Sequence, residues 1–228
     1  MLATMLIEFG GAVYAAWRYK LNSVGRLIVA VLVLLGVFQL AEYMICEQIG
    51  LLGLTWARVG HVAITMLPPL GISLAMRIAK KENWPLETSM YAACIGFIAY
   101  FGFASSALSD QTCQGNYVIF TANPSAMLLY GAYYHSLLIA STALCYIWAN
   151  QQKDSRRAEA LAALAIGYLV FIIPTIVVNL IAPETRAAIP SVMCGFAVLL
   201  AVILLAGVLP RAGLRRESGI LQGIRVKQ

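Results

Sequence analysis

Four ionisable side chains stand where the sequence is otherwise oily. Glu42 falls in FQLAEYMIC, Arg58 and His61 fall in WARVGHVAITMLPPL, and Glu8 interrupts the apolar start MLATMLIEFGGAVYAAW. Placing an ionisable group in a bilayer core costs roughly 2.5–3.5 kcal/mol on insertion scales, so such a group is kept when it pairs, faces a cavity or does chemistry. Three uses compete. Glu42 paired with Arg58 or His61 would lock two helices together. Glu8, Glu42 and His61 around one pocket would read a small polar molecule, a proton or a cation. The same groups as metal ligands, with Glu42 and His61 the candidates and zinc the natural ion, would activate a water for hydrolysis. That third use needs three ligands. The chain has no HExxH or HxxxH and only two histidines, His61 and His135. A haem held by both histidines would need them at one depth, which their positions disfavour.

The elements that must position these groups follow from composition. Of 228 residues, 61% are hydrophobic and 11% charged, against about half and a quarter in a soluble domain. The lipid bilayer is therefore the expected solvent. A core about 30 Å thick takes about 20 residues of helix per crossing, which allows about seven crossings and no second domain. Seven apolar segments are legible: 2–17, 24–48, 57–79, 88–108, 124–149, 158–182 and 188–209. The expected fold is an all-α seven-transmembrane-helix bundle over residues 1–210, followed by a short basic tail over 211–228. Trp17, Trp56, Trp84 and Trp148 fall at helix ends, as interfacial aromatics do. The first segment lacks a basic leader and carries Glu8, so it reads as an uncleaved helix rather than a processed signal.

Charge orients the bundle. Fourteen of the sixteen Lys and Arg fall in alternate loops and the tail, and only Arg58 and Arg186 fall on the other side. The positive-inside rule puts the fourteen in the cytoplasm, with the N-terminus out and the C-terminus in. The expected location is the bacterial cytoplasmic (inner) membrane. The net charge of +6 then faces anionic lipid and requires no nucleic acid. The tail PRAGLRRESGILQGIRVKQ is either solvated or laid on the membrane surface.

Depth along the helices sharpens the candidate site. Glu8, Glu42, His61 and Asn179 come out one or two turns below the outer surface, and His135 deeper, near mid-bilayer. Gln39, Glu42 and Cys46 share one side of helix 2, while Arg58, His61, Thr65 and Pro68 form a stripe on helix 3. The expected ligand pocket comprises Glu8, Glu42, Arg58, His61, Tyr134 and His135. Cys46 ends helix 2 on the outer side and Cys113 lies in the longest outer loop, 109–123, so a Cys46–Cys113 disulfide would pin that loop over the bundle mouth. Val118–Phe120 would fold back as a short lid. Cys94, Cys145 and Cys194 read as packing residues. Pro68 and Pro69 break helix 3, either as a hinge or as a static kink whose freed carbonyls neighbours must meet. Pro174 does the same in helix 6.

Absences narrow the classes. The seventh helix has no lysine for a retinal Schiff base, and there is no phosphate loop, dinucleotide fingerprint or inverted repeat of broken helices. The string FQLAEYMIC, then WARVGHVAITMLPPLGI, then GAYYHSLL resembles small seven-helix bacterial membrane proteins. More distantly, residues 24–80 resemble the seven-helix sensor region that precedes the kinase in some bacterial histidine kinases, through Trp56, Arg58 and the apolar run to Pro68. That resemblance implies sensing of an extracellular or intramembrane signal. The chain continues only about twenty residues past helix 7, so output would pass to a separate cytoplasmic or membrane protein. The expected function is a sensor-like or ligand-binding module, not an enzyme. An intramembrane metal-assisted hydrolase and a channel or carrier are the alternatives.

Overall fold

The computed structural model describes residues 1–114, 117–182 and 188–215. Arg186 and the tail residues Arg216, Arg225 and Lys227 lie outside the described residues, as does the question of how the tail lies. Among the described residues about 82% are helical, in seven helices, six of them long and apolar enough to cross a membrane. They are α1 (Leu2–Arg18), α2 (Ser23–Glu47), α3 (Gly53–Ala79), α4 (Trp84–Phe103), α5 (Pro124–Gln151), α6 (Ser155–Ile181) and α7 (Ile189–Ala212). All seven match the apolar segments read from the sequence within a few residues.

Local chemistry sets the ends. Asn22, Asn83, Asn123 and Asp154 each precede a helix and accept a hydrogen bond from a first-turn backbone N–H, at 2.8 to 3.2 Å. Such caps satisfy donors that the helix itself leaves free. Pro85 and Pro124 sit in first turns, where the missing N–H costs nothing. Gln48 and Lys80 end α2 and α3 in the left-handed conformation, φ 55° at each.

Helix α3 runs through the middle of the bundle. It is broken into Gly53–Thr65 and Leu67–Ala79 just before Pro68 and Pro69. Pro69 cannot donate to the carbonyl of Thr65, four residues back. That carbonyl accepts instead from the Tyr133 hydroxyl at 3.0 Å and from the Cys94 thiol at 3.5 Å. Two other helices thus replace the lost backbone bond. Near the break, Gly71 lies so close to Tyr168 that a Cβ would overlap the phenol hydroxyl. Around α3, wide apolar surfaces face outward: Leu128, Leu129, Ile139, Leu180 and Ile181 are each at least 65% exposed. A water-soluble monomer rarely shows so much contiguous apolar surface.

The fold is not purely helical. The loop between α4 and α5 is a β-hairpin, because Tyr117–Ala122 alternates β-branched and aromatic side chains inward and outward. Two-residue strands at Tyr19–Lys20 (β1) and Leu214–Arg215 (β4) form a separate antiparallel clasp. In the hairpin, β2 (Leu108–Gln114) pairs antiparallel with β3 (Tyr117–Ala122), and Cys113 stands opposite Val118. Val118 and Phe120 point into the bundle and are buried. Helix α4 consequently stops at Phe103, short of the expected 108. The Cys46 and Cys113 sulfurs are at disulfide distance, with Cα atoms 5.5 Å apart. The hairpin is thereby tied to the end of α2.

Candidate functional site

The hairpin covers the bundle end where α1 begins and α2 finishes, and the candidate polar residues divide there into two groups. In the first, α1 and α2 run antiparallel, and Glu8 and Glu42 are near enough for their charges to interact. Both are at most 1% exposed. Between the same two helices, the Thr4 hydroxyl donates to Gln39 Oε1 at 2.9 Å. Gln39 is buried as well. The α-amino group of Met1 acts electrostatically on both carboxyls. From α7, the Ser191 hydroxyl lies against Glu42, and Cys194, one turn deeper, neighbours both acids.

This group is short of partners. Among the described residues, neither oxygen of Glu8 has a hydrogen-bond partner, nor has Glu42 Oε1 or Gln39 Nε2. Burying a carboxylate without compensation is costly, and native interiors avoid it. Pairwise relations link oxygens of three helices here: Thr4 bonds Gln39, Ser191 lies against Glu42, and the Glu8 and Glu42 charges interact. Hard cations take all-oxygen environments of this kind, and carboxyl pairs share protons in them.

The second group centres on His61. Its Nδ1 is 2.9 Å from the Ala57 carbonyl, which fixes the N–H there and leaves Nε2 as a buried acceptor without a partner. The ring is held between Phe101, at 5.1 Å between centroids, and Phe120 of the hairpin, edge-on at 4.7 Å. Thr65, one turn below, donates to the His61 carbonyl at 2.6 Å and touches the Tyr130 hydroxyl at 3.3 Å.

The contacts of the expected pocket residues are with different neighbours. His61 packs against Phe101 of α4 and Phe120 of β3, and no ion pair joins Glu42 to Arg58 or His61 among the described residues. Arg58 is half-buried and reaches the Gly102 carbonyl at 3.4 Å instead. No group of three His, Cys, Asp or Glu side chains able to hold a metal gathers among the described residues. The ligands proposed for a hydrolytic centre, Glu42 and His61, are held in separate surroundings.

Tyr134 and His135 belong elsewhere. Tyr134 is buried, while His135 lies on an exposed face of α5 with Nδ1 bonded to the Gly131 carbonyl at 2.8 Å. Depth was legible in the sequence; rotation about each helix axis was not. Thr4 and Ser191 were missed altogether, although each lies in the first turn of its helix.

The hairpin joins the two groups. Its Val118 N–H donates to Ser191 Oγ at 3.0 Å, and Ser191 touches Glu42. Two residues on, Phe120 packs against His61. Comparison with known proteins finds no match to this chain among family models, curated proteins or solved structures.

Proposed function

We propose that this chain is a seven-helix integral protein of the bacterial cytoplasmic membrane, N-terminus out and C-terminus in, that serves as a sensor-like binding module. Its signal is a proton or small cation held between Glu8 and Glu42. One observation carries the reading: two carboxyl side chains, buried at neighbouring helix surfaces, lack partners for three of their four oxygens among the described residues. A structural lock would pair them, and none of the nearby cations does so with an ion pair. A bound proton or cation meets the electrostatic demand.

Transmission follows the contacts. Loading at Glu42 bears on Ser191, Ser191 holds β3, and β3 presses Phe120 on His61 of α3. Helix α3 carries the change past its break toward the basic loops, where a partner protein would read it. The orientation rests on the asymmetry of Lys and Arg among the loops.

The test uses the purified full chain in detergent. Its melting temperature is followed across sodium, potassium, calcium and magnesium titrations and across pH, for the wild type and for Glu8→Gln, Glu42→Gln and the double variant. A ligand at 100 times its Kd adds about 2.7 kcal/mol. One cation, or acid, should raise the wild-type melting temperature, and the double variant should not respond. A wild type indifferent to every ion and to pH would overturn the reading. Reporters on the two termini should lie on opposite sides of the membrane.

A further inference from the structure

A second site opens on the flank of the bundle, away from the acids. Between α5, α7 and β3 lies a cavity of about 440 Å³, within the range of small-ligand sites. Its walls are Phe120, Met127, Tyr130, Tyr134, His135 and Met193. It starts beside Pro124 at the hairpin end and follows α5 inward to His135, about eleven residues or about 16 Å along the helix.

Two features say what fits. The surrounding surface is apolar and outward-facing: Leu128 is 76% exposed, Leu129 67% and Ile139 65%. In a bilayer the cavity mouth therefore meets lipid tails. His135 then supplies a polar ring nitrogen at the deep end. Its Nδ1 hydrogen is committed to the Gly131 carbonyl, so a neutral ring offers Nε2 as an acceptor only. An acceptor at that depth calls for a donor that travels in lipid. A phospholipid cannot answer, because its headgroup is held at the surface.

We infer that this cavity binds a single-chain membrane amphiphile whose hydroxyl or protonated carboxyl donates to His135 Nε2, with its apolar body along Met127, Met193 and the tyrosine rings. The inference rests on the bundle lying in lipid and is independent of the Glu8–Glu42 site. Because Tyr130 lines the cavity and touches Thr65, the ligand would abut the break in α3.

The test is saturable binding of tritiated hexadecanol to the detergent-purified full chain, with unlabelled hexadecanol, palmitic acid and hexadecane as competitors. One site per chain is expected, and alcohol and acid should compete better than the alkane. Gly131→Leu fills the cavity wall at a position where a Cβ meets no atom within 4 Å. It should cut affinity at least about tenfold, because the added side chain takes up space that the ligand would fill. His135→Leu should weaken hexadecanol about three- to tenfold, the worth of one hydrogen bond, and leave hexadecane unchanged. Ile139→Phe, on the lipid-facing surface of the same helix, should bind as wild type and controls for folding. Absence of saturable binding to the wild type, or equal competition by alcohol and alkane, would overturn the inference. So would full hexadecanol affinity in His135→Leu. Loss of binding in Glu8→Gln and Glu42→Gln variants that remain folded would contradict the independence of the two sites.

Discussion

Cutting the Cys46–Cys113 link tests the hairpin as the cover of the bundle. The two residues are 67 positions apart in sequence. For a loop of that length the chain-entropy relation gives about 4.4 kcal/mol at 25 °C. That value assumes a random coil between the cysteines. The segment contains α3 and α4, and in a membrane or detergent those helices survive unfolding, so the loop is already partly closed. The expected loss is therefore about 2–4 kcal/mol. For a chain of this size each kcal/mol moves the melting temperature about 2–4 °C, so the Cys46→Ser/Cys113→Ser variant should melt roughly 4–16 °C lower. Near-ultraviolet circular dichroism follows the change, because Phe120 and His61 lose their fixed packing when the hairpin lifts. Two companion measurements localise the loss. Proteolysis should appear first within the hairpin. Impermeant maleimide on intact cells should label Cys46 and Cys113 only after reduction. A double variant melting within 1 °C of the wild type, or equal labelling before and after reduction, would refute the argument that the link holds the cover down.

Two further outcomes follow from α3. Tyr133→Phe removes the hydroxyl donor from the Thr65 carbonyl and should cost about 1–3 kcal/mol. In a Pro69→Ala background, where a backbone N–H returns to that carbonyl, the same substitution should cost less, which a double-mutant cycle on thermal stability would reveal. Gly71→Ala drives a methyl into the Tyr168 hydroxyl and should cost about 1–3 kcal/mol as overpacking. Tyr168→Phe should recover part of that loss in a melting assay.

The fold was far more legible than the site, for a physical reason. Hydropathy and helix length are summed along the chain, so the segment at 24–48 and helix α2 at Ser23–Glu47 nearly coincide. The pairing of Cys46 with Cys113 was legible too, because both fall at one level of the bundle. Azimuth is set by contacts between helices, which no one-dimensional pattern records. Glu42 and His61 were placed at similar depth and face different neighbours. The proline break shows the opposite case. That Pro69 frees a carbonyl is written in the sequence, whereas Tyr133 and Cys94 as its new donors come from helices far along the chain. His135 is expected among the pocket residues although it lies deeper than the acids, and its position on an outward face of α5 gives it another environment.

Burial is shared unevenly among the helices. In α3, 78% of the most apolar window is covered by protein; in α4 the figure is 17%. In a membrane, the solvent along most of α4 would be oil, and oil does not discriminate between one aliphatic shape and another. Such a helix tolerates exchange among Leu, Ile, Val, Phe and Ala at nearly every outward position. Most side chains of α3 are fixed by the shape of what they touch. Sequence drift in this protein should therefore collect on α4 and spare α3, and a search for relatives by sequence is best weighted toward the central helix.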